Sequence, residues 1–334
     1  MVSMKDIAKR CRVSVATVSK ALNDHTDIGE NTKKHIQSVA SDMGYHPNSS
    51  ARALKTHRTY NIGVLFMDES LNGLTHDYFS HVLDGFRVFA EEKGYDITFI
   101  NGSSQEMSYL KHAQYRGFDG IVIACVNFYD PDVIELIDSD IPIVTIDHSF
   151  PHRTSVLSDN IGGMSELVKY VHFMGHKKIA YIHGDDTAVT HNRLKGYYDT
   201  LKGFQIEPPK TYVSASHYRN PDDAYRLTKE LLALTERPTC ILYSDDYSCI
   251  GGINAIREAG LHIPDDISIA GYDGIFLSQV LAPKLATYEQ ASGNIGRTAA
   301  EKLIQLIENP KNTVVESIIV AGQVLKGESV SQIK

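Results

Sequence analysis

No apolar stretch in this sequence approaches the roughly 18 residues that a membrane-spanning helix needs. The N-terminal MVSMKDIAKRC is charged and amphipathic, without the apolar core of a secretory signal. Cysteine is scarce: the four are Cys11, Cys125, Cys240 and Cys249, and no two form a Cys-x-x-Cys pair. Reduced, mostly buried thiols in a cytoplasmic protein are therefore expected, with no membrane partner. Signatures of enzymes are missing too. There is no Gly-x-x-x-x-Gly-Lys-Ser/Thr phosphate loop, no His-Glu-x-x-His and no Gly-x-Ser-x-Gly. The 15 histidines do not cluster at metal spacing, and Ser-Phe-Pro between His148 and His152 works against a helical ligand pair. Asp185 and Asp186 are neighbours on a loop, which suits solvation better than a pair of carboxylates straddling a glycosidic bond. No catalytic activity, metal or cofactor is expected. Repeats and low-complexity segments are also lacking.

What is present divides by charge. Residues 1–58 hold ten Lys/Arg against five Asp/Glu, a net +5, so the rest of this −8 chain carries −13. A basic head on an acidic body points to a polyanion-binding module joined to something unrelated. The 334 residues are enough for two or three domains, and 42% hydrophobic with 22% charged content is ordinary for a soluble globular protein.

Three short helical patterns fill residues 3–47. Ser3 caps the first, with Asp6 at the capping-box position and Ile7, Ala8 and Cys11 facing inward. Ser14 caps the second, VSVATVSKALN, where Val18 and Leu22 face inward. The third runs from about Asn31 to the break at Gly44-Tyr45-His46-Pro47, with Ile36, Val39, Ala40 and Met43 inward. So tight a link between the first two makes a helix-turn-helix.

The second helix is rich in Val, Thr and Ser, mediocre helix formers. DNA explains the choice, because the start of such a helix meets base edges in the major groove. Val15, Ala16, Thr17 and Lys20 lie opposite the inward residues. Small and β-branched groups allow close approach and methyl contacts to thymine, hydroxyls bond phosphates, and Lys20 can donate to guanine. The alternative is a small helical bundle for protein contact.

From Tyr60 onward, short apolar runs alternate with amphipathic segments. Strands are predicted at IGVLF (62–66), DITFI (96–100), GIVIA (120–124), PIVTI (142–146), KIAYI (178–182), TYVSA (211–215), CILYS (240–244) and ISIAG (267–271). Helices are predicted at 78–93, 161–174, 193–203, 221–234 and 246–260, among others. This alternation indicates parallel sheets covered on both faces, and a break near Asp159-Asn160 favours two lobes. Ligands of such folds gather beyond the carboxyl ends of the strands, where Asp68, Asp147, Asp245, Asp246 and Asp273 fall.

MKDIAKRCRVSVATVSKALN, followed by GYHPNSSARALKTHRTYNIGVLF, resembles the head and hinge of the lactose-repressor (LacI/GalR) family of bacterial transcription regulators. The resemblance continues to about residue 328. It implies an α/β protein: a small all-α helix-turn-helix head (1–47), a hinge (48–58) and a two-lobed, doubly wound parallel-sheet body (59–334) of the periplasmic-binding-protein-like type I. The N-lobe would comprise about 59–159 and 290–320, and the C-lobe about 160–289 and 321–334. The chain has Arg12 where the family usually has Gly in the turn.

The hinge, NSSARALKTHR, carries a potential cap at Asn48, the cations Arg52 and Lys55, and one apolar projection at Leu54. It is too short for a stable helix in water. The resemblance implies that it becomes helical on DNA and inserts Leu54 into the minor groove as a wedge. Two hinges meet there, so a homodimer on near-palindromic double-stranded operator DNA is implied. A Leu54 packed on the body as an ordinary linker residue is the alternative. The tail KGESVSQIK is too short for the leucine-heptad segment that joins dimers in some relatives.

In the family, an Arg in Arg-x-x-Gly and the Asp after Gly-Tyr contact the effector. These roles fall on Arg193, expected to open a helix, and on Asp273, while Tyr78-Phe79 aligns with a segment that often supplies a stacking ring. Asp246 is expected to cap the following helix, and Asp159 to bridge the lobes. Family members often have Asn at Asp245, and the extra carboxylate disfavours an anionic effector. A neutral sugar bound between the lobes, controlling a carbohydrate operon, is the reading these residues support. The alternatives are a purine or another small metabolite, or a sugar-binding protein that does not bind DNA.

Overall fold

The computed structural model describes residues 2–23, 25, 27–45, 53, 58–67, 73–100 and 107–333. They fall into two compact units, Met1–Thr59 and Tyr60–Lys334. The hinge positions Asn48, Arg52, Leu54 and Lys55, and Asp68 of the body, lie outside the described residues.

The first unit contains α1 (Met4–Cys11), α2 (Val15–Leu22) and α3 (Glu30–Asp42). Both halves of the capping box are made: the Ser3 hydroxyl accepts from the Asp6 N–H, and the Asp6 carboxylate accepts from the Ser3 N–H at 2.9 Å. The Ser3 hydroxyl also donates to the Asp6 carboxylate at 2.6 Å, and this bond, with that from the Ser3 N–H, holds the Asp6 carboxyl below its usual range. Arg12 closes α1 in the left-handed conformation, φ 55, its N–H donating to the Ala8 carbonyl. The turn therefore keeps a geometry that favours glycine, at about 1–2 kcal/mol of strain for a larger residue. Ile7, Ala8, Val18, Ala21, Ile36 and Ala40 form the buried centre. Leu22 is only half-buried at the edge of this centre, and Ala21 takes the inward position beside Val18.

The second unit contains two six-stranded sheets. One joins β1 (Asn61–Phe66), β2 (Asp96–Phe99), β3 (Gly120–Ala124), β4 (Ile143–Ile146), β5 (Thr154–Ser158) and β11 (Ser317–Val320), all parallel, in the order β11-β5-β4-β3-β1-β2. The other joins β6 (Ile179–His183), β7 (Val213–Ala215), β8 (Cys240–Tyr243), β9 (Ser268–Asp273), β10 (Ala286–Glu289) and β12 (Gln323–Leu325), in the order β12-β10-β9-β8-β6-β7. Only β12 in that sheet is antiparallel to its neighbour. Helices α4 (Asp77–Glu92), α5 (Tyr109–Arg116), α6 (Pro131–Ile137), α7 (Asn160–Phe173), α8 (Ala188–Gly203), α9 (Pro221–Leu232), α10 (Ser248–Glu258), α11 (Phe276–Val280) and α12 (Ser292–Glu308) connect the strands. The chain passes from the first sheet to the second after Ser158, returns after Glu289 and leaves again after Val320.

Strands buried on both faces need continuous apolar sequence, and all five residues of GIVIA are buried. Helices α4 and α12 press together through Gly296, where an added Cβ would lie 1.8 Å from the Val82 carbonyl oxygen. The chain has no tryptophan, and tyrosines fill the large core positions: Tyr95, Tyr181, Tyr197, Tyr243, Tyr272 and Tyr288 are fully buried. Buried hydroxyls need partners. Tyr197 donates to the Ile179 carbonyl at 2.7 Å, and Tyr243 shares a 2.8 Å bond with Thr228.

Two expectations change. TYVSA is a strand only from Val213, because Lys210–Tyr212 makes a 3-10 turn. Helix α8 starts at Ala188, not at Arg193: Thr187 caps it, accepting from the Thr190 N–H at 3.2 Å. No helix among the described residues is long and apolar enough to cross a membrane.

Candidate functional site

On the head, α2 divides sharply. Val18 and Ala21 are buried, while Ser14, Val15, Ala16 and Lys20 are exposed and Thr17 is half-exposed. Ser14 accepts from the Thr17 N–H at 3.1 Å, and the two hydroxyls share a 2.8 Å bond, which fixes Thr17 at the start of the helix. Val15, 41% exposed, is left as an apolar projection on this face. Lys20 is paired with Asp27, both side chains about half-exposed, and this bond holds the Asp27 carboxyl below its usual range. An exposed pair of this kind contributes little, so the ammonium is readily transferred to another acceptor. Lys20→Ala is expected to cost about 1–3 kcal/mol at a single base pair and to relax discrimination there. Binding titrations on a set of point-substituted DNA sites measure this, and an equal loss on every sequence would make Lys20 a phosphate contact instead.

In the body, a cavity of about 500 Å³ opens at the carboxyl ends of strands from both sheets. Asp147, Asp245, Asp273, Arg193, Tyr78 and Phe79 all line it. Three non-glycine residues at strand ends, Cys125 (φ 54), Asp147 (φ 59) and Asp273 (φ 101), have positive φ, each costing roughly 1–3 kcal/mol. Such strain persists only where the surroundings hold it, and here it turns two carboxylates toward the same space.

Arg193 lies in the second turn of α8 and is buried. Its Nε donates to Asn160 Oδ1 at 2.8 Å and its Nη1 to the Ser244 carbonyl at 2.9 Å. The guanidinium lies 3.7 Å from the Tyr272 ring centroid. Its Nη2 stands 3.8 Å from Asp273 Oδ1, an ion pair too long for a hydrogen bond. Asp273 accepts from Gln290 Nε2 at 2.7 Å. Burial pushes its carboxyl up to about 7, opposed by Arg193 and reinforced by the charge of Asp245. On the other lobe, Asp147 accepts from the Tyr78 hydroxyl at 2.7 Å and from the Ser158 N–H at 3.0 Å. Burial raises the Asp147 carboxyl and raises the Tyr78 hydroxyl well above the usual tyrosine value. Phe79 stands edge-on to Phe66, His76 and Tyr78.

The neighbouring carboxylates divide their roles otherwise than expected. Tyr247, not Asp246, stands at the N-cap of α10 and makes no side-chain cap bond; Asp245 instead takes the helix's first N–H, its Oδ1 accepting from Ser248 at 2.8 Å. Its Oδ2 accepts from Ser244 and Ser248 hydroxyls and from the Arg219 N–H, so protein donors already fill most of its acceptor capacity. Asp246 is fully buried and joins two segments, accepting from the Ile275 N–H at 2.9 Å and from the Thr287 hydroxyl at 2.7 Å. Gly271 makes room for it, since a Cβ there would meet Asp246 Oδ1 at 2.1 Å. Asp246 thereby fixes the loop that follows Asp273. Asp159 sits where the chain passes between lobes and caps α7, accepting from the Gly162 N–H at 2.8 Å. Asp185 lines the cavity and accepts from the Tyr218 N–H at 3.0 Å, while its neighbour Asp186 is exposed.

Several lining residues escaped the sequence reading. His148 stacks on Phe128, centroids 4.4 Å apart and planes 11° from parallel, and both face the cavity with His76, Tyr218, Arg219 and Gln290. His148 follows Asp147 directly, so the rule that found Asp147 at a strand end would also have reached it. Arg219 and Gln290 carry no such local signal. Among the described residues no group of His, Cys, Asp or Glu is placed to hold a metal ion.

Residues 3–48 match the model of bacterial regulatory proteins of the lacI family, and residues 168–330 match a periplasmic binding protein-like domain. The chain is 33% identical to a probable HTH-type transcriptional repressor ExuR of Bacillus subtilis (strain 168), over 100% of this chain and 99% of that one. It is 28% identical to an HTH-type transcriptional repressor PurR of Mannheimia succiniciproducens over the full length of both. Among solved structures, a LacI family transcriptional regulator from Enterococcus faecium with bound ribose superposes with a TM-score of 0.69 at 26% identity, covering 82% of this chain and all of that one. A helix-turn-helix head, two parallel-sheet lobes around a cavity, and a full-length relative agree: the chain belongs to the lacI family of bacterial regulatory proteins and is a transcription regulator.

Proposed function

We propose that this protein is a dimeric repressor of a carbohydrate-utilisation operon, binding near-palindromic operator DNA through α2 and a neutral sugar in the cavity of its body. The observation that carries the sugar reading is the cavity's polar end: Asp147 and Asp273 face it from opposite lobes, with Arg193 beside Asp273. A carboxylate accepts from two vicinal hydroxyls, a guanidinium donates to ring or hydroxyl oxygens, and the rings of Tyr78 and Phe79 cover a C–H face. Four lining carboxylates (Asp147, Asp185, Asp245, Asp273) against two guanidiniums (Arg193, Arg219) favour a neutral ligand over an anionic one. The ribose held by the Enterococcus faecium relative supports the same class.

Thermal shift across a panel of sugars tests this reading. A ligand at 100 times its dissociation constant adds roughly 2.7 kcal/mol of stability. Stabilisation by a neutral sugar, and less by its phosphorylated or acidic form, is expected. The reverse order rejects the neutral-polyol assignment. A planar base such as a purine is the second reading, favoured by the stacked Phe128 and His148 on the cavity wall. A purine that stabilises where every sugar fails would establish it.

On the DNA side, the proposed roles are Val15, Ala16 and Lys20 at base edges and Ser14 and Thr17 at phosphates. Residues 48–58 act as a hinge, with Asn48 as its cap, Arg52 and Lys55 on the backbone and Leu54 as the minor-groove wedge. Leu54→Ala is expected to keep the dimer and effector binding, weaken operator binding and reduce the DNA bend. Unchanged mobility differences in a circular-permutation gel would remove the wedge from the account.

A further inference from the structure

Asp77, Arg219 and Tyr247 belong to different lobes. Asp77 is the first residue of α4, beside the first sheet; Arg219 lies between β7 and α9, and Tyr247 just before α10, both beside the second sheet. Their side chains meet. Arg219 Nη1 is 3.6 Å from Asp77 Oδ2, the Tyr247 hydroxyl donates to that same oxygen at 2.9 Å, and the guanidinium lies 4.2 Å from the Tyr247 ring centroid. The pair is partly shielded: the Arg219 side chain is 11% exposed and that of Asp77 34%. Screening by salt and competition from water are correspondingly weaker than at an open surface. Arg219 also lines the cavity.

The backbone beneath this contact is held in place. Arg219 has φ 55, a left-handed conformation that disfavours a residue with a Cβ. The buried Asp245 carboxylate accepts its N–H at 2.9 Å, and the preceding Tyr218 is fixed by Asp185 at its N–H and by Thr190 at its hydroxyl. A strained conformation that several groups jointly impose marks a side chain whose position matters.

We propose that Asp77, Arg219 and Tyr247 form a clamp across the cleft, made of protein atoms alone, that holds the lobes closed over the cavity without help from an effector. Asp245 then acts as the positioning residue of the clamp, which explains a carboxylate at a cavity wall whose oxygens are engaged by the protein. Opening of the clamp widens the way into the cavity, so the clamp affects how fast the protein responds. The inference holds whichever ligand the cavity takes.

Hydrogen exchange on the full chain with no ligand added is the test. Asp77→Asn keeps the side chain's size, Arg219→Gln shortens it but leaves it polar, and each removes the charge pairing. In each variant, the amides of Ser80, residue 219 and Ile250 are expected to exchange up to about fivefold faster, the factor for one lost ion pair of this exposure, while amides in β3 and β8 are unchanged. Tyr247→Phe, which removes the hydrogen bond to Asp77, is expected to accelerate them comparably. The swapped double variant, Asp77→Arg with Arg219→Asp, is expected to recover part of the protection, which a purely local packing role at either position would not allow. Unaltered exchange in both single variants overturns the clamp, as does a double variant no better protected than the worse single one.

Discussion

Arg193→Lys is expected to abolish the response to sugar while leaving operator binding in place. An ammonium is a point charge and cannot donate to Asn160 and the Ser244 carbonyl while keeping a flat face on Tyr272. Those partners lie on α7, at the end of β8 and on β9, so the guanidinium also ties three elements of its lobe to α8. Each hydrogen bond involving the charged group is worth about 1.5–3 kcal/mol. Sugar affinity is therefore expected to fall by at least one such bond, and the folding stability of the body by on the order of 3 kcal/mol, as for other broken buried charge networks. Calorimetry with sugar and denaturant unfolding report the two losses separately. A variant that binds sugar like the parent would place the ligand elsewhere in the cavity.

Asp273→Asn is expected to move binding and stability in opposite directions. The folded-state carboxyl titrates near 7, raised from 3.8, chiefly because it is buried. Between those values the folded state holds more protons than the unfolded one, so stability falls as pH rises through the window and levels off above about 7. Removing the carboxylate removes that loss, and the variant is expected to gain stability relative to the parent at pH 8 and lose that advantage near pH 4. Sugar binding behaves otherwise. Only the carboxylate accepts from two hydroxyls through both oxygens, so affinity in the parent is expected to rise between pH 6 and 8, by no more than about tenfold per unit. The variant is expected to bind more weakly by about 1.5–3 kcal/mol per lost bond, with a flat pH profile. Affinity that falls with pH in the parent would mean that the protonated carboxyl donates to the ligand.

Much of the fold was readable because its signals are local. Capping at Ser3 and Ser14 needs three residues of sequence, and GIVIA or CILYS announces a strand buried on both faces. Short polar strands such as TSVLS (154–158) and QVL (323–325) carry no such pattern, and they exist because a neighbouring strand supplies their hydrogen bonds. The cavity follows the same division. Asp147 and Asp273 were found by their place at strand ends, and Arg193 by its motif, though its helix begins a turn and a half earlier than expected. The exchange of roles between Asp245 and Asp246 was not legible: adjacent carboxylates look alike until the loops carrying Arg219 and Ile275 arrive from distant sequence. Arg219 itself, between a three-residue strand and a helix, was invisible for the same reason.

The central claim is that occupancy of this cavity controls the head's grip on DNA. Fluorescence anisotropy of labelled operator DNA with the full chain, titrated with and without the sugar that stabilises it, tests this most directly. The sugar is expected to shift the parent's Kd for DNA, while Arg193→Lys binds DNA as the parent does without sugar and shows no shift when sugar is added. An equal shift in parent and variant, or none in the parent at saturating sugar, would contradict it.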